Sequence, residues 1–518
     1  MTELSLGQIL DEGLAQELIG DPDVRVRGVR FDSRAVEPGE LFAALPGVTR
    51  HGEQFIDDAV ARGAAAVISD RRRECSVPLL LADDVLAALA AVARRLYDDP
   101  STGLAVVGIT GTNGKTTTSF LIESMLQHLG ARPAVIGSVN FRAPGGVRPA
   151  THTTPMADDL MRLTRWAVDS GATHLVLEVS SHGLAMRRAD GLHYRVAAFT
   201  NLSQDHLDYH GDFEAYGAAK ARLFTDLQPQ ASVINVDDAF GAQLAARLRQ
   251  QQQGGRLYRV SRRADVEAEL RVLELRSGAD GIVARVATPL GEGELRSPLL
   301  GDHNVENLMV ALGCGLALGE SLEAVLESLS AAPGAPGRLE RVQSQRCLVL
   351  VDYAHTPDAL SRALAALRPL TSGRLLSVFG CGGDRDRGKR PMMGRAAIEG
   401  ADLAIVTDDN PRTEDPAAIC EAVVAAMDGA GVARLEPAQL AAAERGYLVA
   451  RPRDVAIELA LSAARPGDTV LIAGKGHEDY QILGTQKFPF DDRVVARRVL
   501  RALEAAVGGG EKSTGGKD

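Results

Sequence analysis

Positions 108–118 read Gly-Ile-Thr-Gly-Thr-Asn-Gly-Lys-Thr-Thr-Thr, and this stretch decides the expected fold. It follows the apolar run Leu104–Val107, which is typical of a buried strand, and it opens an amphipathic segment with helical spacing. A strand, a glycine-rich turn and a helix form the setting in which backbone N–H groups surround phosphate oxygens. Lys115 would add a cation, and Thr116 would offer a hydroxyl to Mg²⁺. The sequence therefore predicts a nucleoside triphosphate site; the alternative is an ordinary glycine turn between a strand and a helix.

The overall composition limits the class of protein. A chain of 518 residues is long enough for about three domains. Its 45% apolar and 24% charged residues are typical of a globular protein, and a net charge of −11 without a long basic block argues against nucleic-acid or membrane-surface binding. No apolar run could span a bilayer, no signal peptide is evident, and the five cysteines form no CxxC pair. We expect a cytoplasmic monomer without a disulfide framework or a zinc site.

Three segments are expected to form three α/β domains. Residues 1–100 combine short strand-like runs with one helical stretch, which predicts a small α/β domain. Residues 101–336 alternate apolar strands with helices, as in a mostly parallel, P-loop ATPase-like sheet. Residues 337–505 resume this alternation as a Rossmann-like, doubly wound sheet, whose strands end in charged or glycine-rich loops and so predict a second ligand site. Residues 506–518 are expected to be a disordered tail.

Histidine and acidic residues are concentrated after two predicted strands of the middle segment. Six of the eleven histidines lie between positions 152 and 210. Glu178 ends one predicted strand, and His206 follows the next. Because the carboxyl ends of parallel strands meet at one edge of a sheet, both side chains are expected near the phosphate loop, where Mg²⁺ needs ligands. Taken singly, the carboxylate could be a helix cap, the histidine a structural residue, and Lys220 a solvated lysine on a helix.

A series of motifs follows one another along nearly the whole chain. In order, they are Gly111-Thr-Asn-Gly-Lys-Thr-Thr117, Glu178-Val-Ser-Ser-His182, Thr200-Asn-Leu202, Asp205-His-Leu-Asp-Tyr-His-Gly211, Tyr216-Gly-Ala-Ala-Lys220, Gly301-Asp-His-Asn-Val-Glu-Asn307, Gly337-Arg338 and Asp352-Tyr-Ala-His-Thr-Pro-Asp358. Together they resemble the Mur ligase family, the ATP-dependent amide-forming ligases of bacterial cell-wall precursor synthesis.

The resemblance implies roles in ATP and metal binding. The residues expected to hold the ATP phosphates are Gly111, Thr112, Asn113, Gly114, Lys115, Thr116 and Thr117. Asn304 and Asn307 would approach the adenine, and Arg338 and Asp352 would serve the nucleotide from the domain junction. Lys220 would be carbamylated by CO₂, which makes an oxygen ligand for one of two Mg²⁺ ions. The expected metal ligands are Thr116, Glu178, His206 and the carbamate of Lys220; the expected catalytic residues are Lys115, Lys220, His206 and Glu178.

The last segment points to the acceptor amino acid. Thr407-Asp-Asp-Asn-Pro-Arg412 resembles the signature of family members that add meso-diaminopimelate. A physical argument agrees, because diaminopimelate carries a carboxylate that lysine lacks and a guanidinium such as that of Arg412 recognises it well. Arg385 could take another carboxylate, and Glu478 an ammonium. The expected acceptor residues are Arg385, Asp409, Asn410, Pro411, Arg412, Gly474 and Glu478. The alternative is that Arg412 only pairs with Asp408 or Glu414 on the surface.

By the same resemblance, the first two segments would hold UDP-N-acetylmuramoyl-L-alanyl-D-glutamate. Phe31-Asp-Ser-Arg34 and Gly47-Val-Thr-Arg-His-Gly52 align with the uridine-binding stretch of the family. The expected contacts are Phe31, Ser33, Val48, Thr49, Arg50, Thr153, Thr154, Ser180, Met186 and Arg188. Met186 stands where a relative has glutamine, which puts that contact in question.

The implied reaction is the ATP-dependent addition of meso-diaminopimelate to the D-glutamate γ-carboxylate through an acyl phosphate. Three rival functions remain: a lysine-adding ligase, a folylpolyglutamate synthase with the same ATP module, and a P-loop NTPase that binds a partner without ligating anything. The uridine-like first segment and Asp409–Arg412 count against the folylpolyglutamate synthase. A switch NTPase would not need Glu178, His206 and Lys220 together.

Overall fold

A computed structural model describes residues 2–47 and 50–510. The expected contacts Val48 and Thr49, and residues 511–518 of the expected tail, lie outside the described residues. Contacts divide the chain into two compact units, the first comprising Met1–Leu275, Val283–Ser297 and His303–Ala332, and the second Arg276–Ile282, Pro298–Asp302 and Pro333–Asp518. Sheets that are mostly parallel and covered by helices confirm the expected α/β fold class. None of the described helices is both long and apolar enough to cross a membrane.

The beginning of the first unit is a small sheet backed by helices. Its elements are β1 (Leu4–Ser5), α1 (Leu6–Asp11), β2 (Glu17–Ile19), β3 (Arg25–Val26), β4 (Val29–Arg30), β5 (Leu41–Ala44), α2 (Ile56–Ala61), β6 (Ala66–Ser69), β7 (Leu79–Leu81) and α3 (Val85–Leu96). The five-stranded sheet has the order β2-β7-β6-β5-β4, parallel except for β2. Both faces of β5 are buried, since Leu41 and Phe42 pack into different apolar clusters.

The remainder of the first unit is organised by an eleven-stranded sheet. Its elements are β8 (Ala105–Thr110), α4 (Lys115–His128), β9 (Pro133–Ile136), β10 (Asn140–Ala143), β11 (Gly146–Pro149), α5 (Ala157–Asp169), β12 (His174–Glu178), α6 (Ser181–Ala185), β13 (Tyr194–Phe199), α7 (Leu207–His210), α8 (Phe213–Thr225), β14 (Ala231–Asn235), α9 (Ala239–Gln251), β15 (Arg256–Ser261), β16 (Leu270–Gly278), β17 (Gly281–Thr288), β18 (Gly291–Ser297), α10 (Asp302–Leu318) and α11 (Leu322–Ser330). Within the elements of this region, residues Arg276–Ile282 and Asp302 are grouped with the second unit. The strand order is β11-β10-β9-β12-β8-β13-β14-β15-β16-β17-β18.

The position of β8 sets the first site. This strand lies between β12 and β13 and is parallel to both. The loops after β8, β12 and β13 therefore leave the sheet at one edge, as the sequence predicted. Val106, Val107 and Ile109 of β8 are fully buried, because helices cover both faces of the sheet.

The second unit contains a six-stranded sheet wound on both faces. Its elements are β19 (Glu340–Val342), β20 (Leu348–Asp352), α12 (Pro357–Leu367), β21 (Leu375–Cys381), α13 (Lys389–Gly400), β22 (Leu403–Asp408), α14 (Pro416–Val424), β23 (Gly446–Val449), α15 (Arg453–Ala463), β24 (Thr469–Ala473), β25 (Tyr480–Leu483), β26 (Gln486–Pro489) and α16 (Asp492–Gly510). The order is β19-β20-β24-β21-β22-β23, and only β19 is antiparallel. Leu350 faces α12–α14, whereas Val349 and Val351 face α15 and α16. Apolar faces on both sides make it doubly wound.

Short 3₁₀ segments complete the described secondary structure. They are Ser33–Ala35, Gly52–Phe55, Pro100–Gly103, Arg368–Leu370 and Pro437–Gln439.

The start of the expected tail stays a prediction, and the last helix overlaps it. Residues 506–510, expected to begin the disordered tail, continue α16 to Gly510. Helix propagation adds one hydrogen bond per residue once a helix is anchored, and Ala496, Val499 and Leu500 anchor this one in the core. The three-domain boundaries at 100 and 336 stay a prediction, since contacts group the first segment with the middle one.

Candidate active site

The phosphate loop connects β8 to α4 through two glycines with positive φ. Gly111 has φ +153° and Gly114, immediately before α4, has φ +85°. Such values favour glycine, because a β-carbon would be strained there. A β-carbon at Gly114 would also collide with Asn307 Oδ1. The ammonium of Lys115 folds over the loop and donates to the carbonyls of Gly111 at 2.8 Å and Thr112 at 3.0 Å.

The segment that follows β13 holds this loop in place. Thr112 N donates to Asn201 O at 2.8 Å, and Asn113 N donates to Asn201 Oδ1 at 3.0 Å. Thr200 Oγ1 donates to Asn113 O at 2.6 Å. The expected ATP-binding residues Thr112 and Asn113 are thus fixed by hydrogen bonds from a neighbouring strand end.

Glu178 lies directly against the first turn of α4. Thr116 Oγ1 donates to Glu178 Oε2 at 2.9 Å. Ser138 donates through its hydroxyl to Oε2 at 3.0 Å and through its backbone N–H to Oε1 at 3.1 Å. The predicted proximity of Glu178 to the phosphate loop is therefore present in the structure. Ser138 is a partner that sequence reasoning missed, and no motif singles it out.

Lys220 lies buried beneath the loop. Only 1% of the residue is exposed, its Nζ donates to Gly111 O at 2.8 Å, and it lies 4.5 Å from the ring centre of Tyr216. Burial, and secondly the nearby ammonium of Lys115, lower the pKa of Lys220 well below its ordinary value. The alternative of a solvated helix lysine is wrong, because α8 turns this side chain inward. A neutral amine is a nucleophile, which reaction with CO₂ requires.

His206 is linked to the phosphate loop by the ring of Tyr216, which lies between them. Its ring centre is 6.4 Å from that of Tyr216, whose hydroxyl is 2.9 Å from Thr112 Oγ1. The ring of His182 contacts it edge-on at 4.8 Å. Within residues 2–47 and 50–510, no group of three or more His, Cys, Asp or Glu side chains is arranged to hold a metal ion.

The expected Mg²⁺ ligands nonetheless suit a hard cation. They combine a hydroxyl, a carboxylate, an imidazole and a lysine that would become a carbamate. Three of these four are oxygen donors, which Mg²⁺ prefers. Only two of these four residues, Glu178 and His206, are acidic, histidine or cysteine side chains. The set would therefore not appear as a group of three such side chains. The hydrogen-bonded pair of Thr116 and Glu178 supplies two of its oxygens side by side.

Asn304 and Asn307 lie together on α10. Asn307 Nδ2 donates to Asn304 Oδ1 at 3.0 Å, and Thr118 Oγ1 donates to Asn307 Oδ1 at 3.4 Å. Both asparagines are buried. Asn307 also lies against Gly114, so this pair adjoins the phosphate loop; contact with adenine stays a prediction.

Several residues expected to bind the UDP-linked substrate form a second cluster beside Glu178. Thr154 Oγ1 donates to Glu178 O at 2.9 Å and accepts from Ser180 N at 2.9 Å. Thr153 Oγ1 lies 3.0 Å from Ser138 Oγ. Arg188 donates to Thr154 O at 3.0 Å, and burial lowers the pKa of its guanidinium.

Of the other described residues expected to bind the UDP-linked substrate, one is hydrogen-bonded to this cluster and three are not. Met186 belongs to the same cluster, since its sulfur lies 3.0 Å from Arg188 Nη2. Ser33 is buried, Phe31 is half-buried and Arg50 is exposed, all in the first segment. Among the described residues, none of these three makes a hydrogen bond to the cluster.

In the second unit, the residues after β22 and β24 meet. Asn410 Nδ2 donates to Glu478 Oε2 at 2.9 Å, and Asp409 Oδ1 accepts from Asn410 N at 2.7 Å. Gly474 has φ +117°, and a β-carbon there would lie 2.7 Å from Asp409 Oδ2. Four of the expected acceptor residues are therefore in contact. Lys475, which sequence reasoning did not select, joins the same cluster, and its place between the expected residues Gly474 and Glu478 was the available signal.

Arg412 is held by the β25 strand. Its backbone N–H donates to Ile482 O at 3.1 Å, its carbonyl accepts from Gly484 N at 2.8 Å, and its φ is +51°. Pro411, the preceding residue, is buried. The guanidinium donates through Nη1 to Gly383 O at 2.8 Å.

The surface-pairing alternative for Arg412 is wrong. Asp408 pairs instead with Arg451 at 2.6 Å, and Glu414 pairs with Arg390 at 2.8 Å. Both carboxylates are thus occupied by other guanidinium groups.

Arg385 is exposed and lies close to Arg412. A β-carbon at Gly382 would be 3.0 Å from Arg412 Nη1 and 3.6 Å from Arg385 Cγ. Two guanidinium-bearing side chains thus flank one glycine at the end of β21. This arrangement suits a ligand with carboxylates.

Asp352 ends β20 at the same edge. Its carboxylate accepts from Leu339 N at 2.7 Å and Ala354 N at 2.8 Å, and its carbonyl accepts from Gly474 N at 3.0 Å. Burial raises the pKa of Asp352. The guanidinium carbon of Arg338 lies 5.0 Å from the ring centre of Tyr353.

A strand, a glycine loop and a helix, with a carboxylate and a buried lysine around the loop, define a nucleotide-binding α/β protein. Three family models match the chain: "Mur ligase family, catalytic domain" over residues 25–97, "Mur ligase middle domain" over 109–315, and "Mur ligase, glutamate ligase domain" over 337–476. The chain belongs to the Mur ligase family and is an ATP-dependent ligase.

Similar proteins cover almost its whole length. A UDP-N-acetylmuramoyl-L-alanyl-D-glutamate--2,6-diaminopimelate ligase from Thermosynechococcus vestitus is 45% identical over 92% of this chain and 93% of the relative. The ligase of the same name from Geobacter sulfurreducens is 43% identical over 94% and 96%. A solved structure with this ligase name is 35% identical, with a TM-score of 0.71 over 97% of this chain and 100% of that one. Mycobacterium tuberculosis folylpolyglutamate synthase complexed with ADP is 20% identical, with a TM-score of 0.56 over 74% and 91%, and shares the fold.

Proposed function

We propose that this ligase joins meso-diaminopimelate to UDP-N-acetylmuramoyl-L-alanyl-D-glutamate in peptidoglycan precursor synthesis, with ATP converted to ADP and phosphate. The cluster at the carboxyl ends of β22 and β24 carries the proposal, because it offers both a guanidinium and a carboxylate to an amino-acid ligand. Relatives that are 43–46% identical bear the name of this ligase. We also propose that it acts as a cytoplasmic monomer.

The reaction needs an activated carboxylate. A carboxylate is a poor electrophile because its leaving group would be oxide, so its oxygen first attacks the γ-phosphorus of ATP and ADP departs. Lys115, whose ammonium contacts the carbonyls of the phosphate loop, would neutralise charge on the transferring phosphoryl group. The amine of diaminopimelate then attacks the acyl carbon, phosphate leaves, and the amine proton passes to solvent. Because an acyl phosphate hydrolyses readily, we expect the site to exclude water during the reaction.

The Mg²⁺ ligands would come from the edge where β8 and β12 end. We propose that Thr116, Glu178, His206 and carbamylated Lys220 hold two Mg²⁺ ions, which would neutralise phosphate charge when bound. The carbamate forms when the neutral Nζ of Lys220 attacks CO₂, making an N–C bond and releasing one proton. Its burial and low pKa support this step, because a protonated ammonium has no lone pair for the attack.

Recognition of the acceptor divides between opposite charges. Arg412 would bind the carboxylate at the far end of diaminopimelate, and Arg385 another carboxylate. Glu478 would bind an ammonium, supported by Asp409 and Asn410 and by the close approach that Gly474 permits. Lysine lacks the far carboxylate, so Arg412 separates the two acceptors.

An acceptor panel tests the proposal. The purified chain is given ATP, Mg²⁺ and UDP-muramoyl-dipeptide with meso-diaminopimelate, L-lysine or L-glutamate, and in a separate arm a folate with L-glutamate. Product mass and ADP are measured. We expect one diaminopimelate addition per ADP formed. A lysine adduct at comparable kcat/KM would identify the lysine-adding ligase. Glutamate transfer to a folate would identify the folylpolyglutamate synthase, and phosphate release without any acceptor would favour the partner-binding NTPase.

A further inference from the structure

Lys475 is a lysine with no exposed surface at the carboxyl edge of the second sheet. It is the second residue after β24, next to Gly474, and 0% of it is exposed. Its Nζ donates to Glu478 Oε2 at 2.8 Å and to Asn410 Oδ1 at 3.2 Å. A buried ammonium is costly unless its partners compensate for lost solvation, and these two acceptors do so.

The same contacts divide the two oxygens of Glu478 between different tasks. Oε2 accepts from both Lys475 Nζ and Asn410 Nδ2, at 2.8 and 2.9 Å. Oε1 has no hydrogen-bond donor anywhere in the described ranges, and the side chain of Glu478 is 15% exposed. Oε2 is therefore held by two donors, while Oε1 keeps its lone pairs available to a ligand.

Asn410 extends the support to β25. Its Oδ1 accepts from Ile482 N at 2.9 Å as well as from Lys475. Its carboxamide is thereby oriented, with Oδ1 facing two donors and Nδ2 facing Glu478. Lys475 thus joins the residue after β22 to the loop after β24 through two charge-assisted hydrogen bonds.

We propose that Lys475 is a positioning residue for acceptor binding: it holds Glu478 and Asn410 so that Glu478 Oε1 receives an ammonium of the amino-acid acceptor. The proposal rests on the function proposed above. Lys475 cannot touch the acceptor, because it has no exposed surface. Its effect therefore passes through Glu478, whose free side chain would otherwise distribute among several rotamers.

A second buried ion pair in the same sheet provides a matched control. Arg374 precedes β21 and Asp468 precedes β24, and their side chains pair at 2.7 Å, 5% and 3% exposed. This pair lies at the amino ends of the strands, whereas Lys475 and Glu478 lie beyond the carboxyl ends. Arg374→Gln therefore removes a buried cation from the same sheet without touching the acceptor cluster.

The test is a double-mutant cycle on full-length chains. Lys475→Met, Glu478→Gln, the double variant and Arg374→Gln are compared with the wild type for KM of diaminopimelate, ATP and the UDP-linked substrate, and for Tm. We expect Lys475→Met to raise the KM for diaminopimelate about tenfold to a hundredfold, the range expected for loss of a hydrogen bond to a charged group. The other two KM values and kcat should stay near those of the wild type.

The cycle distinguishes positioning from a general loss of structure. In the Glu478→Gln background, Lys475→Met should add little to the KM for diaminopimelate, because the group through which it acts is gone. Arg374→Gln should lower Tm while leaving that KM unchanged. Additive effects, or equal rises in all three KM values, would overturn the proposal.

Two further outcomes of the experiment also bear on the proposal. Should Lys475→Met not fold, Lys475→Gln takes its place in the cycle; if neither folds, Lys475 is a residue of folding and the proposal fails. A wild type that ligates lysine or glutamate but not diaminopimelate would refute the proposed function instead. The cycle would then be run with the acceptor that is used, so the two failures remain separate.

Discussion

Thr116 Oγ1 donates a 2.9 Å hydrogen bond to Glu178 Oε2, which joins the first turn of α4 to the end of β12. These residues stand 62 positions apart in the chain. Two oxygens of the kinds that bind Mg²⁺ are thus held side by side before any ion arrives, so that less ordering accompanies binding.

Replacing Glu178 by glutamine should weaken Mg²⁺ binding while the fold survives. The amide keeps the size and one acceptor oxygen but loses the charge that a divalent cation needs. We expect a higher Mg²⁺ requirement for nucleotide binding, measured by Mg²⁺ titration in calorimetry, and at least a tenfold loss of kcat, about 1.4 kcal/mol. Glu123→Gln serves as a control, because Glu123 lies further along α4 than Thr116 and pairs with Arg142 of β10. An unchanged Mg²⁺ requirement in Glu178→Gln would contradict the assignment.

Substituting Lys220 by alanine should nearly abolish turnover and leave ATP binding mostly intact. Because burial lowers the pKa of Lys220, a larger fraction is neutral near pH 7 than for an exposed lysine, and carbamylation should weaken as acid protonates the amine. Carbon NMR of the wild type in labelled bicarbonate should show a carbamate signal that Lys220→Ala lacks. Lys115→Ala, by contrast, should weaken ATP binding itself. Activity of Lys220→Ala at low bicarbonate would rule the carbamate out.

Two glycines allow the strain of the phosphate loop to be measured. Gly114 and Gly130 have similar φ values, +85° and +80°, so alanine at either costs about 1 kcal/mol for the left-handed backbone. Only Gly114 would also bring its β-carbon against Asn307, since nothing lies within 4 Å of a β-carbon at Gly130. Gly114→Ala should therefore lose more unfolding free energy than Gly130→Ala in urea titrations, and ATP affinity as well. Equal losses would show that the loop yields to Asn307 freely.

Arg412→Lys should separate acceptors that differ by one carboxylate. Lysine keeps the charge but loses the planar pair of donors, so the KM for diaminopimelate should rise about tenfold to a hundredfold. The rate with L-lysine as a poor alternative acceptor should change little, because it has no far carboxylate. Arg451→Lys, whose parent pairs with Asp408 nearby, provides the control in steady-state kinetics. An equal change for both acceptors would remove Arg412 from specificity.

Glu414 should contribute stability that acid removes. Hydrogen bonds from Arg390 hold the pKa of Glu414 at about 2, below its ordinary 4.5. Since the folded pKa is the lower one, the contribution is complete above pH 4.5 and is lost as the pH falls from 4.5 towards 2. The difference in unfolding free energy between the wild type and Glu414→Gln should shrink over that window. In an Arg390→Gln background, the same difference in unfolding free energy should be smaller at every pH. A difference that stays constant with pH would refute the coupling between Glu414 and Arg390.

The arrangement around the phosphate loop could be predicted largely from sequence. Its residues either lie close together in the chain or follow neighbouring parallel strands. The glycine loop is visible at positions 108–118, and Glu178 was placed near it by the rule that parallel strands end at one edge. The burial of Lys220 was not visible in its helix alone, since inward and outward faces of α8 are decided by packing against the sheet.

The supporting contacts were harder to foresee. Ser138 lies in none of the sequence motifs, and the motif Thr200-Asn-Leu202 does not reveal what Asn201 contacts. Both residues matter because folding places them beside Glu178 and the phosphate loop. Lys475 lies between the expected acceptor residues Gly474 and Glu478, yet a lysine between two glycines looks solvated until the contacts after β22 and β24 are known. Glycines usually stop a helix, so the sequence did not indicate that α16 extends to Gly510.

The second unit is not a continuous piece of the gene. Arg276–Ile282 and Pro298–Asp302 belong to it although they are made before Ala332, the last residue of the first unit. A fragment that starts at Pro333 would therefore lack two stretches of its own body, and during synthesis those stretches leave the ribosome long before the strands they accompany. Anyone who divides this enzyme into independently produced halves should expect the later half to fold poorly unless the missing stretches are restored.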